Sequence, residues 1–297
     1  MIGFVGIGAM GAPIVEALAD GGHALVVHDT DATAVETAVV LGAVSAASPA
    51  EVADTADLVF VSLPRPEIVR AVALGEGGLA EGERMRTYVD LSTTGARVAE
   101  EVAAALGARG VDVLDAPISG GVAGAKARTL AVMAAGDDTV FDRVRPLLEL
   151  FGKHVVLVGA SPGQGQIAKL LNNLLSATAL VITSEAVTFG VSAGLDPAVL
   201  LDVFNASTGR NTATATKFPD QVLTGRFASG FRLELMAKDL ELCLGEARAR
   251  QFPMEVGSLV QELWTLAAAD AGEDADHTEI VRLFEHRSGV EIGGSEP

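Results

Sequence analysis

The sequence predicts an α/β protein: an N-terminal doubly wound parallel sheet, then an all-α C-terminal domain, the two joined by a long helix. Three observations carry that prediction. Short β-rich runs alternate with alanine-rich helical stretches up to about residue 160. The first of those runs ends in a glycine-spaced turn that opens a helix. After Ser161-Pro162-Gly163 no strand pattern recurs.

The β-rich runs are 2–5, 24–28, 58–62, 87–91, 111–115, 130–134 and 155–158, with helical segments such as 13–19, 32–40 and 97–108 between them. Several runs end in turn or polar residues: Gly6, Asp29, Leu63-Pro64, Ser92-Thr93 and Pro117. Open parallel sheets bind ligands beyond the carboxyl ends of their strands, so this punctuation marks one rim. Residues 1–162 form the predicted sheet domain and 163–287 the helical one. Within the latter, 163–193 read as one long helix. Asp196 and Pro197 read as N-cap and first position of the next helix. Helices fill the remainder apart from a polar loop over 207–216, and the tail 288–297 is expected to be disordered.

Composition excludes several function classes. A formal net charge of −18 and only 4% aromatic residues argue against nucleic-acid partners and against binding to an anionic membrane. The longest apolar stretch, near Leu174 to Val191, is broken by Ser176, Thr178, Thr183, Ser184, Glu185 and Thr188, and reads as a buried helix. Met1 leads directly into the first strand without a basic leader, which points to the cytoplasm. The single cysteine, Cys243, lies in an apolar helical stretch and reads as a structural thiol. The five histidines have no metal-ligand spacing, so no metal is implied.

The turn Gly6-Ile7-Gly8-Ala9-Met10-Gly11 carries the clearest chemical signal. It follows a strand and opens a helix, the context that gives a G-x-G-x-x-G pattern meaning. Gly6 permits the tight turn, Gly8 lets a pyrophosphate approach, and Gly11 lets helix and strand pack closely. The helix start offers N–H groups and partial positive charge to phosphates. Asp29 closes the second strand, 18 residues after Gly11, where an acid accepts hydrogen bonds from ribose hydroxyls. Thr30 and Asp31 follow with no cation nearby, so a 2′-phosphate would meet two carboxylates. NAD is therefore favoured over NADP. Leu63-Pro64 and Ser92-Thr93, at two further strand ends, either line the cofactor or are ordinary loop residues, and their shared place at the rim favours the first.

Two segments carry the candidate chemistry. Ser119-Gly120-Gly121 follows the run 111–115 and admits two readings, a carboxylate-binding run of backbone N–H groups or an ordinary turn. In Gly165-Gln166-Ile167-Ala168-Lys169-Leu170-Leu171-Asn172-Asn173, Lys169 and Asn173 share a helix face, and Gln166 and Ser176 do so more loosely. Lys169 within so apolar a helix also admits two readings: a desolvated acid/base or a side chain that snorkels to solvent.

Four ordered segments resolve these alternatives by resemblance. Gly3-Phe4-Val5-Gly6-Ile7-Gly8-Ala9-Met10-Gly11, Asp115-Ala116-Pro117-Ile118-Ser119-Gly120-Gly121, Gly165-x-x-x-Lys169-x-x-Asn172-Asn173 and Lys238-Asp239-Leu240 resemble the β-hydroxyacid dehydrogenases, the 3-hydroxyisobutyrate dehydrogenase-like family. The resemblance implies a Rossmann domain, a helical second domain, homodimers or homotetramers, and NAD(P)-dependent oxidation of a small β-hydroxyacid or reduction of the matching semialdehyde. It implies Lys169 as catalytic lysine, Asn173 as substrate-orienting residue, Ser119, Gly120 and Gly121 as a carboxylate loop, and Thr93, Lys238 and Leu63-Pro64 as cofactor contacts. The sequence departs from the family at Arg128, where glycine is usual. Lys126 and Arg128 either hold an anionic substrate or face solvent, and Arg210 is a candidate for a second anionic group. A tartronate-semialdehyde-like reductase, an imine reductase of the same fold and a dinucleotide-binding sensor are the competing readings. Lys169 argues against the second, and the set Lys169, Asn173 and Ser119 against the third.

Overall fold

A computed structural model describes residues 1–292 and divides the chain into two compact units, Met1–Lys169 and Leu170 onwards. In the first unit, β1 (Ile2–Val5), β2 (Leu25–His28), β3 (Val44–Ser45), β4 (Leu58–Val61), β5 (Thr87–Asp90) and β6 (Asp112–Asp115) pair in parallel in the order β3-β2-β1-β4-β5-β6. This is the Rossmann strand order, and its direction reverses between β1 and β4. β7 (Ile118–Ser119) and β8 (Leu130–Ala135) extend the sheet, β8 running antiparallel to β6 and β7, and β9 (Gly152–Gly159) pairs in parallel with β8.

The central strands are apolar along their whole length because helices cover both faces. Alternate side chains therefore serve two cores. Phe4, Phe60 and Phe151 pack with Leu18 on one side, while Val5, Val59, Tyr88 and Leu106 pack on the other. The doubly wound sheet stands as the sequence predicts. Val44–Ser45 and Ile118–Ser119 escape the sequence reading because two residues cannot display a period.

The helix Gln164–Ser192 runs from the first unit into the second. By length and composition it is the one helix among the described residues that could cross a membrane, and half of its most apolar window is buried inside the protein. It is not buried all round. Leu170, Leu174, Ala177, Leu180 and Val181 enter the core of the second unit, whereas Leu171, Leu175, Ile182 and Phe189 form an exposed apolar stripe, with Leu175 72% and Phe189 75% accessible.

Around Trp264 and Phe218 the second unit gathers the helices Pro197–Asn205, Leu233–Ala249, Glu255–Asp270 and Val281–Ser288. Asp196 caps the first of them through the amides of Ala198 and Val199, at 2.8 and 3.1 Å. The expected polar loop over 207–216 is shorter than the sequence suggests. A wide π-helical segment begins at Ala213 and continues to Val222. Its threonines have low helix propensity, but Phe218 and Val222 are fully buried and packing overrides that preference. Within the tail expected to be disordered, Ile292 is buried, and its N–H donates to Glu285 Oε1 at 2.7 Å. Residues 293–297, the rest of the tail expected to be disordered, lie outside the described residues.

Candidate active site

The glycine turn follows β1 at the switch point of the sheet. Gly6 has φ +93°, and a side chain there would strike the Ser62 carbonyl, just as one at Gly11 would strike the Gly6 carbonyl. At Gly8, by contrast, an added Cβ would meet nothing within 4 Å, so this face of the turn is open. The helix Gly11–Asp20 has no side-chain cap from Met10 and no acid in its first turn, so no carboxylate of its own competes for an anion there. Asp29 reaches back to the turn: Oδ2 accepts the Ile7 amide at 2.5 Å and Oδ1 the Asp31 amide at 2.9 Å. Each oxygen keeps a further lone pair for a ribose hydroxyl. Ile7, Ala9 and Met10 complete the turn, and Thr30 stands exposed beside Asp29. These residues fit a dinucleotide: the open face at Gly8 would admit a pyrophosphate and the Asp29 carboxylate would offer acceptors to a ribose. His28 is engaged structurally, its Nδ1 3.0 Å from the Ala46 carbonyl oxygen.

The next strand ends are cross-tied. Ser92 Oγ accepts the Leu63 amide at 2.9 Å, which fixes the Leu63-Pro64 loop against the loop that carries Thr93. Gln166, fully buried, ties both to the start of the long helix. Its Oε1 accepts Thr94 N at 2.8 Å and Gly95 N at 3.3 Å, and its Nε2 donates to the Ser92 carbonyl at 3.0 Å. Asp115, at the end of β6, accepts Gly163 N at 2.9 Å and Gln166 N at 2.8 Å and so caps the same helix. Burial pushes Asp115 up to about 7, against the pull of those two amides. Its cross-strand partner Asp90, also pushed up by burial, lies at about 6. Sequence reasoning gave Gln166 only a loose place on a helix face and took Asp115 as a strand end. Their partners lie far away in the chain.

Lys169 follows one turn later and is only 8% exposed, so the snorkelling reading fails. Ser119 ends β7 half-buried, and Gly120 and Gly121 continue it with φ of +133° and +63°. Arg128 adopts φ +57° where the family carries glycine, and its guanidinium pairs with Asp20. Lys126 is exposed at the last turn of the helix Gly121–Lys126.

In the second unit Asn173 is buried and held at both ends. Its Nδ2 donates to Asp239 Oδ2 at 2.6 Å, and its Oδ1 accepts from Asn172 Nδ2 at 3.2 Å. Lys238 Nζ lies 3.1 Å from the other oxygen of Asp239. Asp239, quoted in the sequence only as part of a motif, is thus the anchor of two site residues. Lys217 is a second residue that the sequence did not single out: its ammonium donates to Ser176 Oγ at 2.7 Å. Arg210 is exposed, and Cys243 is a buried free thiol, raised by burial.

Two family models cover almost the whole chain. Residues 1–159 match the NAD binding domain of 6-phosphogluconate dehydrogenase, and residues 163–284 match the model described as NAD-binding of NADP-dependent 3-hydroxyisobutyrate dehydrogenase. The chain belongs to the β-hydroxyacid dehydrogenase family. A 3-hydroxyisobutyrate dehydrogenase of Pseudomonas aeruginosa is 38% identical over 292 residues, covering 95% of this chain and 98% of that one. The 2-(hydroxymethyl)glutarate dehydrogenase of Eubacterium barkeri is 31% identical over 296 residues, covering 99% and 98%. Among solved structures, the 3-hydroxyisobutyrate dehydrogenase of Mycobacterium tuberculosis with L-serine superposes with a TM-score of 0.88 at 34% identity, covering 95% of this chain and 98% of that one. As a member of this family the chain is an NAD(P)-dependent oxidoreductase acting on a CH–OH group.

Proposed function

We propose that the chain oxidises the primary hydroxyl of a small β-hydroxyacid of the 3-hydroxyisobutyrate type with NAD, and in reverse reduces the corresponding semialdehyde. The observation that carries this reading is the burial of Lys169 directly after the Asp115 and Gln166 ties at the start of its helix. An amine can pass a proton to or from a substrate oxygen within its reach, and a fixed helix start aims it.

The substrate carboxylate sits at Ser119, Gly120 and Gly121. Lys169 Nζ takes the hydroxyl proton as the carbinol C–H bond breaks, and in the reduction the protonated amine returns it to the carbonyl oxygen. Asn173, braced by Asp239, keeps that oxygen in line. When bound, NAD supplies the hydride acceptor through its nicotinamide ring. The chain's own Gly6, Ile7, Gly8, Ala9, Met10 and Gly11 hold the pyrophosphate, and Asp29 and Thr30 hold the ribose. Leu63, Pro64, Thr93 and Lys238 flank the reactive end.

The exposed stripe Leu171, Leu175, Ile182 and Phe189 supports a homo-oligomer built on the long helix. The test is a panel of small β-hydroxyacids with NAD and with NADP, read as reduced-nicotinamide absorbance. Turnover on a β-hydroxyacid supports the reading. Silence across the panel favours a dinucleotide-binding sensor.

A further inference from the structure

One charged group in the second unit has no part in the chemistry above. Lys217 lies in the wide helical segment Ala213–Val222 and is half-buried. Its ammonium has three donors, and the Ser176 hydroxyl takes one of them at 2.7 Å. Among the described residues it makes no ion pair. Asp276 acts on it through space, but that carboxylate is already committed. It accepts Ser229 Oγ at 2.8 Å, Gly230 N at 3.1 Å, Thr278 N at 3.0 Å and Thr278 Oγ at 2.6 Å. Burial pushes the Lys217 ammonium down to about 8, the mark of a cation short of compensation.

The place of this cation is informative. Ser176 stands three residues after Asn173 and seven after Lys169 on one continuous helix. Steps of four and three keep all three on one face. Along that face run a buried amine, a braced amide and then a hydroxyl joined to an ammonium. The rise per residue puts Ser176 about 10 Å along the axis from Lys169. A half-buried ammonium with two free donors favours an anion, and a carboxylate gives it charge-assisted hydrogen bonds.

We infer that Lys217, with Ser176, forms a cationic subsite for a second carboxylate at the far end of the substrate, so that the preferred substrate class is a β-hydroxyacid that is also a dicarboxylate. This rests on the β-hydroxyacid reading and sharpens it. It also moves the second-anion role from Arg210, which is exposed, to a residue beside the Asn173 stripe.

The test compares 3-hydroxyisobutyrate with 2-(hydroxymethyl)succinate and 2-(hydroxymethyl)glutarate, which replace its methyl group by carboxymethyl and carboxyethyl. For the full-length protein with NAD, kcat/KM should favour a dicarboxylate by about tenfold or more. Lys217→Met should collapse that ratio by a similar factor, and Lys217→Arg should restore part of it. A second readout needs no turnover: glutarate should raise the wild-type melting temperature more than isobutyrate does, and Lys217→Met should abolish the difference. If Lys217→Met does not fold, Lys217→Gln replaces it, and the wild-type preference still decides. Equal kcat/KM for mono- and dicarboxylates, or an unaltered ratio in a folded Lys217 variant, overturns the subsite. Absence of turnover with all three acids overturns the β-hydroxyacid reading instead, and the glutarate shift then decides the subsite by itself.

Discussion

Gln166 Oε1 accepts the main-chain N–H of Thr94 at 2.8 Å, across 72 residues of sequence. The same amide group also receives Gly95 N and donates to the Ser92 carbonyl, so one buried side chain satisfies three backbone groups. Gln166→Leu would leave all three unpaired where water does not reach. Stability should drop by about 2–4 kcal/mol. Because Lys169 follows on the same helix, kcat should fall more than KM rises. Gln166→Glu keeps the acceptor but turns a second carboxylate oxygen toward the Ser92 carbonyl, so it should rescue little. Thermal melts and steady-state kinetics on both variants check this. A Gln166→Leu variant with wild-type kcat would remove Gln166 from the positioning of Lys169.

Lys169→Ala should abolish proton transfer, with turnover on the substrate reduced by about three orders of magnitude or more. Dissociation constants for NAD, measured by calorimetry, should change little, since the dinucleotide turn and Asp29 lie elsewhere in the first unit. Adding a small primary amine should return part of the activity to the variant. Normal turnover by Lys169→Ala would dismiss the lysine as acid/base.

Asp29 is the residue expected to set which dinucleotide is used. Its carboxylate faces the turn, and Asp31 stands two residues on, so a 2′-phosphate enters a negative site. The double variant Asp29→Ser, Thr30→Arg removes one charge and adds a cation of the kind that binds phosphates. The ratio of kcat/KM for NAD over NADP should fall by about a hundredfold, combining loss on one side with gain on the other. The wild-type ratio measured alongside it should favour NAD; a wild-type preference for NADP would refute the reading of Asp29.

What was legible in the sequence is what is local. The glycine turn shows itself because its strand, turn and helix are contiguous. The spacing of four puts Lys169 and Asn173 on one helix face, but it left two readings of the lysine open, and their roles came from the resemblance to the family. Lys217 was illegible: it comes directly after the polar loop 207–216 with nothing local to set it apart, and its partner Ser176 is 41 residues away. Asp239 was hidden beside Lys238, whose charge draws the eye, although the carboxylate braces Asn173 across 66 residues. Ile292 falls in the tail expected to be loose because Val290 and Ile292, the two apolar residues after Gly289, are too few to display a period.

The buried pair Asp90 and Asp115 makes stability depend on pH in a direction opposite to most carboxylates. Both sit above the usual value near 4, Asp90 at about 6 and Asp115 at about 7, because burial disfavours their charged forms. Between about pH 4 and 7 the unfolded chain has released the Asp115 proton while the folded chain still holds it. The folded state therefore binds more protons, and stability falls as pH rises through that window, by up to about 1.4 kcal/mol per pH unit for one group. Above about 7 the contribution of Asp115 is flat. Asp115→Asn removes the titration and keeps one acceptor for the Gly163 or Gln166 amide. It should be destabilised most at pH 5 and progressively less toward pH 7. The check is the difference in urea midpoint between wild type and D115N at pH 5, 6, 7 and 8. A difference that stays constant across this range, or that widens with pH, would show that Asp115 is already ionised in the folded chain and that its two amide donors outweigh its burial.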